Sequence, residues 1–277
     1  MIKEAEVNRI ITVSVLLALS STVYAEGSPW LLTPGDVDVN ISYVNQDADS
    51  FYLAGKKTDI DIVQNTYWLG VKYGFSDNLA LDFKTGFAKN KLKGASEISD
   101  RTDSTLGLTW RFNDEFINNN NYPSAALRFA IISEGNYDVG FVNAIGDGAS
   151  GFETSLLLGK AITDKFAVSG EIGYRNRDNN VPDELLITAN TFYNLTDQFS
   201  VSAGYYYVNS DSNLDIAGPG FSPDKFPIVD EDSETISIGS SFQINRSMYI
   251  GLDFAKVNNG RNTSKNDIAA VNIGYIF

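Results

Sequence analysis

Along most of the chain, large apolar residues recur at every second position, with small or polar residues between them. Leu79, Leu81, Phe83, Thr85 and Phe87 alternate with Ala80, Asp82, Lys84, Gly86 and Ala88. Leu106, Leu108, Trp110 and Phe112 alternate in the same way with Thr105, Gly107, Thr109 and Arg111, and Val168, Ile172 and Tyr174 oppose Ser169, Glu171 and Arg175. A period of two is that of a strand with one apolar and one polar face. The final "AVNIGYIF" keeps the rhythm, with Val271, Ile273 and Tyr275 on one face and Phe277 closing it.

The strands are separated by a repeated turn signal. "FSDNLALDFKTGF", "ITDKFAVSGEIGY" and "LTDQFSVSAGYYY" each begin with an apolar residue, Ser or Thr, and Asp, and then enter an alternating run; "FNDEF" and "INRSMYIGLDF" are looser copies. Asp after Ser or Thr favours a tight turn because its short side chain bonds nearby amides. This predicts short turns near residues 76, 113, 163, 196 and 245, alternating with polar loops at about 47–60, 89–103, 135–150, 177–183, 209–233 and 256–266. Together they join about twelve strands, with both termini on the short-turn side. An even number of strands, with short turns at one end and long loops at the other, is the plan of outer-membrane barrels. Segments such as Phe166 to Tyr174 and Leu185 to Leu195 supply the roughly 9 to 11 residues that a tilted spanning strand needs.

A soluble sandwich shows the same alternation, so the choice rests on other features. Ile10 to Leu19 form an apolar run, preceded by Lys3 and Arg9 and followed by "STVYA", which places Val23 and Ala25 at small-residue cleavage positions. This predicts a secretory signal peptide over residues 1–25 and a mature chain from Glu26, although Glu4 and Glu6 offset the basic charges. The run is shorter than the about 20 residues of a spanning helix. Phe75, Phe112, Phe166 and Phe199 cluster at the short turns, where a membrane barrel carries its interfacial aromatics. The expected fold is all-β: one domain over residues 26–277, a transmembrane antiparallel up-and-down β-barrel of about twelve strands. The expected setting is the bacterial outer membrane, in contact with lipid and lipopolysaccharide.

Composition removes other classes. The 277 residues include no Cys and no His, so disulfides, thiol chemistry, Cys-based zinc sites and imidazole-activated nucleophiles are absent. The acidic run Asp230, Glu231 and Asp232 reads as solvated surface rather than a carboxylate catalyst, so neither an enzyme nor a cofactor is expected. That run and Asp147 lack the ligand spacing of a calcium loop. A net charge of −14 argues against nucleic-acid partners and for a surface that attracts cations.

The last strand, with Val271, Ile273, Tyr275 and terminal Phe277, resembles that of Gram-negative outer-membrane proteins. The resemblance implies that the barrel assembly machinery recognises Tyr275 and Phe277 as an assembly signal. Within that group, "YPSAALRFAIISEG", the Gly-rich segment after it, and "GFETSLLLGKAITDKFAVSGEIGYR" resemble the family of outer-membrane transporters of the phenol-degradation meta-pathway, over roughly residues 110–277. Where a typical member has a Pro-Thr-Gly-like step, this chain has Ile132, Ser133, Glu134 and Gly135. The family implies passive uptake of small solutes, aromatic ones among them.

About twelve strands lie between small barrels filled by side chains and wide water channels. The predicted inward face carries Lys72, Lys84, Arg111 and Arg128 on one side of the wall, and Asp38, Asp82, Glu171 and Asp253 elsewhere, with Arg175 near Glu171. Such charges either line a pore and orient a polar solute, or pair with one another and fill the lumen. In the long loop Asn209 to Asp232, Phe221 and Phe226 are candidates for a gate over the mouth. Trp30, Leu31 and Leu32 either plug the periplasmic mouth or pack on the first strand, and the second is favoured. Leu81, Leu108 and Ile238 should face lipid, while inward Gly107 and Ser237 should accept a polar side chain. The expected function is a channel for passive uptake of small molecules; the alternative is a closed barrel that works through its extracellular loops.

Overall fold

The computed structural model describes residues 27–118 and 121–277, so the expected leader lies outside the described residues. The chain forms an up-and-down antiparallel barrel. Its strands are β1 (Val37–Leu53), β2 (Lys56–Ser76), β3 (Leu79–Leu92), β4 (Ile98–Arg101), β5 (Ser104–Asn113), β6 (Ser124–Ser133) and β7 (Gly151–Ala161). They continue with β8 (Phe166–Arg177), β9 (Glu184–Asn194), β10 (Phe199–Ser210), β11 (Asp232–Gln243), β12 (Met248–Arg261), β13 (Thr263–Ser264) and β14 (Asp267–Ile276). β4 extends the edge of β3 and β13 pairs with β1; the other twelve are the staves. β1 pairs with both β2 and β14, from Asp38 opposite Ile276 to Asp47 opposite Asp267, and this closes the barrel. Closure leaves no sheet edge to aggregate.

The alternation resolves as expected. In β5, Leu106, Leu108, Trp110 and Phe112 are exposed, while Gly107, Thr109 and Arg111 are buried. Leu81 and Ile238 also point outward. So large an apolar surface on the outside of a monomer requires a cover, and around a closed barrel that cover is lipid. Tyr275 and Phe277 stack at 4.6 Å on the short-turn rim, and the Phe277 amide donates to the Val37 carbonyl at 2.9 Å.

Two features of the loops differ from expectation. The polar segments 47–60 and 256–266 are mostly strand: β1 and β2 continue to a tight turn at Ala54 and Gly55, and β12 runs on to Arg261. β2 has 21 residues, about twice what spans a bilayer, so the surplus stands above it with polar side chains on both faces. In the turns at 163 and 196 the Thr caps the following strand. Thr163 Oγ1 accepts the Phe166 amide at 3.0 Å, and Thr196 Oγ1 accepts the Phe199 amide at 3.0 Å. The turn between β5 and β6 is also longer than predicted. It starts with Asp114, whose Oδ1 accepts the Phe116 amide at 2.8 Å, and it turns Asp114 and Glu115 inward, where both are buried.

Candidate functional site

The lumen has three zones. Through its middle and up one wall runs a ladder of alternating charges on β3, β6, β7, β8 and β9. Arg128 grips Asp82 through Nη2 at 2.7 Å and Nε at 3.1 Å, and its Nη1 reaches Glu153 Oε1 at 3.0 Å. Glu153 Oε2 accepts from Arg175 Nη2 at 2.9 Å, and Arg175 Nη1 meets Glu184 Oε2 at 2.8 Å. Arg128 is 1% exposed. A guanidinium so buried is tolerable because its donors are matched by carboxylates on both sides. The ladder lies on Gly107: a Cβ there would come within 2.4 Å of Asp82 Oδ1 and 2.8 Å of Arg128 Nη2. Gly107 faces inward as expected, but it has no room for the side chain the sequence suggested.

Below the ladder the N-terminal segment enters the barrel. Gly27 lies against Leu157 and Arg128, and the chain descends to Thr33 beside Gly74 before β1 begins. Trp30 is buried against Ala167, Phe192 and Phe116, its ring 6.2 Å from that of Phe192. Gly159 leaves space for the indole, since a Cβ there would come within 2.6 Å of it. Trp30 Nε1 points to Glu115 Oε1 at 3.4 Å, and Glu115 is held by Lys160 Nζ at 2.9 Å and the Ala161 amide at 3.0 Å. Trp30 therefore contacts β7, β8, β9 and the turn before β6, while with Leu31 and Leu32 it also lines a gap beside Asp38 of β1. That gap of about 30 Å³ lies beside it, lined by Asp38, Lys72, Asp82 and Thr109 among others.

Above the ladder two loops fold over the mouth. In the loop between β6 and β7, Tyr137 donates to Asp103 Oδ1 at 2.5 Å, and Asp103 also takes Arg177 at 2.7 Å. In the loop between β10 and β11, Asp215 pairs with Arg261 at 2.8 Å, and this bond holds the Asp215 carboxyl below its ordinary range. The 3₁₀ helix Pro223–Ile228 carries Phe226, which meets Phe221 edge to face at 5.0 Å. Under the loops is a cavity of about 350 Å³, lined by Gln46, Gln64 and Asn90, by Asp147, Glu184 and Glu231, and by Phe51, Phe141 and Phe226 among others. Burial pushes Asp147 up to about 6, with Glu184 and Asp103 adding to the rise and Arg177 opposing it. Glu231 presents an exposed surface at the cavity, yet surrounding protein and then the charge of Asp147 push it up to about 8.

A closed barrel with this apolar belt and polar lumen is a bacterial outer-membrane barrel. Solved structures share the fold. The COG4313 outer membrane channel from Pseudomonas putida F1 superposes with a TM-score of 0.72 at 16% identity, covering 89% of this chain and 97% of that one. The KdgM porin gives 0.54 at 11% identity over 86% and 99% of the two chains. The translocator domain of the autotransporter NalP from Neisseria meningitidis gives 0.53 at 12% over 99% and 95%. At these identities the likeness is one of fold. No family model matches the sequence, and no curated protein matches it.

The residues named from the sequence are placed as follows. Asp82, Arg128 and Arg175 form the ladder. Arg111 pairs with Asp114 at 2.7 Å and donates to the Asp77 carbonyl at 2.5 Å. Lys84 lies over the Trp68 ring at 4.5 Å, and Lys72 lies opposite Asp82 in the β2–β3 register. Glu171 and Asp253 are buried, and Asp253 Oδ2 accepts from Asn272 at 3.2 Å. Arg111 and Arg128 thus carry compensated charges instead of forming a bare positive stripe. Sequence reasoning missed Glu153, Glu184 and Glu115, and it treated Glu231 as solvated surface. Alternation from Gly151 would have turned Glu153 inward; nothing local marked the other two.

Proposed function

We propose that this chain is an outer-membrane channel through which small solutes enter by diffusion, with its residues 27–33 acting as a periplasmic stopper. The observation that supports the reading best is the uneven lumen: a roomy cavity behind the extracellular loops and a gap of about 30 Å³ around Trp30. A barrel that serves only as a wall has no need of a cavity large enough for a small molecule. On this reading the ladder residues Asp82, Arg128, Glu153, Arg175 and Glu184, with Lys72 and Lys84, line the route, and Phe221 and Phe226 narrow its mouth. The resemblance to the phenol-degradation transporters makes small aromatic solutes the first candidates. The fold shared with the COG4313 channel agrees with such a role. The leader over residues 1–25, recognition of Tyr275 and Phe277 by the assembly machinery, and contact of the loops with lipopolysaccharide complete the proposal.

The filled lower lumen favours one rival, a closed barrel working through its loops. Liposome swelling separates the two. Vesicles carrying the folded protein should swell in small neutral solutes faster than empty vesicles, and faster still when residues 27–32 are deleted. Swelling at the empty-vesicle rate in both would support the closed barrel instead.

A further inference from the structure

The extracellular cavity has an unbalanced chemistry. Asp147, Glu184 and Glu231 line it, and no Lys or Arg is among its lining residues. Glu184 is neutralised by Arg175, and Arg177 is engaged by Asp103 at 2.7 Å. Glu231 Oε1 accepts a hydrogen bond from Thr263 at 2.9 Å but meets no cation there. Two carboxylates therefore share one cavity with less positive charge than they need. The neutral groups pair among themselves. Asn90, buried in the same lining, donates through Nδ2 to Gln64 Oε1 at 2.9 Å and to the Ala144 carbonyl at 3.4 Å, and Gln64 passes its own donor on to Gln46 Oε1 at 3.1 Å. This chain of amides spends its donors on itself and leaves Asn90 Oδ1 buried without a donor. That oxygen is shielded from the cavity, so the charges of Asp147 and Glu231 carry the bias toward a cation.

The rest of the lining is apolar: Phe51, Ile62, Phe141 and Phe226. Aromatic faces attract cations, and apolar walls favour a ligand with a hydrocarbon body. Among the described residues, no three His, Cys, Asp or Glu side chains converge closely enough to hold a metal ion. A volume of about 350 Å³ is at the lower end for small-molecule sites. We infer that this cavity is a capture site for small organic cations: a protonated primary amine, whose ammonium group is drawn to Asp147 and Glu231, on an aromatic or branched alkyl body lying against the phenylalanines. A quaternary ammonium would satisfy the charge but donate no hydrogen bond to either carboxylate. The inference deepens the channel reading and rests on it for the onward passage of the ligand, whereas capture itself is measured separately.

Phenethylamine, 2-phenylethanol and phenylacetate share one body and differ only in the head group. Each is titrated calorimetrically into the folded barrel in a zwitterionic detergent, with empty micelles subtracted, at about pH 8.5, where an alkylammonium keeps its charge. The amine should bind about tenfold tighter than the alcohol, and phenylacetate should bind weakest. Glu231→Gln and Asp147→Asn should each erase most of that preference while the barrel stays heat-modifiable on a gel. Equal binding of all three probes, or an amine preference that survives both substitutions, would overturn the inference. A protein that conducts ions but shows no amine preference overturns the capture site and leaves the channel standing. One that binds the amine but conducts neither as wild type nor after deletion of residues 27–32 upholds the site and sinks the channel.

Discussion

The two ends of the lumen solve the same electrostatic problem in opposite ways. At the periplasmic end and in the ladder above it most buried charges are matched: Glu115 by Lys160, Arg111 by Asp114, and Arg128 by Asp82 and Glu153, while Asp38 takes the Tyr249 hydroxyl. An indole and a segment of backbone occupy the remaining space. At the extracellular end the acids Asp147 and Glu231 lie beside a cavity with too little cation, and their proton affinity rises. Matched charges make a rigid filler, because moving any one member exposes its partner. Mismatched charges make a receptor, because the missing partner can arrive from outside. On the channel reading the lower lumen resists passage and the upper lumen receives the solute.

The largest expected effect tests the matched end. Arg128→Met takes the guanidinium from Asp82 and leaves Glu153 with Arg175 alone, and breaking a buried pair in this way costs about 3 to 5 kcal/mol. Urea unfolding in liposomes should register the loss. A cost near zero would mean that the lower lumen is wet and its charges screened. Next in size is the lipid face: Leu108→Arg near the midplane should cost about 2 to 4 kcal/mol, measured in the same way. A cost smaller than that of Arg128→Met keeps the ranking, whereas a neutral Leu108→Arg would show the register to be wrong.

A smaller effect is expected at Gly107. Gly107→Ala pushes a methyl into the Asp82–Arg128 pair, and overpacking of this kind costs about 1 to 3 kcal/mol. Gly107→Ala should lose most of its effect in an Arg128→Met background, since the two share one contact. The smallest effect concerns the mouth and depends on pH. The folded pKa values of Asp147 and Glu231 are raised, so the stability these acids lend the loops is present at low pH and is lost as pH rises through about 6 and then about 8. Proteolytic nicking between Ser212 and Ile228 should therefore accelerate from about pH 4 to about pH 8 and level off above it. Glu231→Gln should flatten that profile. Nicking that slows as pH rises would contradict the sign.

The wall of this barrel was legible in the sequence because lipid imposes its pattern residue by residue: Leu106, Leu108, Trp110 and Phe112 can only point one way. Strand number and the roles of the two ends followed from the spacing of turns. Legibility failed where the constraint was not local. Above the membrane no lipid selects apolar residues for the outer face, so the polar, protruding parts of β1, β2 and β12 looked like loops, although Phe51, Tyr52, Ile62 and Val257 are buried there. Arg128 was recognised as inward, but its partners Asp82 and Glu153 come from β3 and β7, and which rungs meet depends on the tilt and stagger of the closed barrel. Trp30 belongs to no strand, so no period shows that it folds back inside. Glu231 sits in an acidic run that resembles surface until the two loops close over it.

On the channel reading the periplasmic stopper, not the loops, sets the resistance of the barrel. Single-channel current in a planar bilayer measures it directly, comparing wild type with Trp30→Gly, each confirmed as a heat-modifiable barrel. The account predicts small or rare steps for wild type and clearly larger steps for Trp30→Gly, with deletion of residues 214–228 giving a lesser increase. Identical steps for wild type and Trp30→Gly, with a large increase only on loop deletion, would place the barrier at the mouth and contradict it.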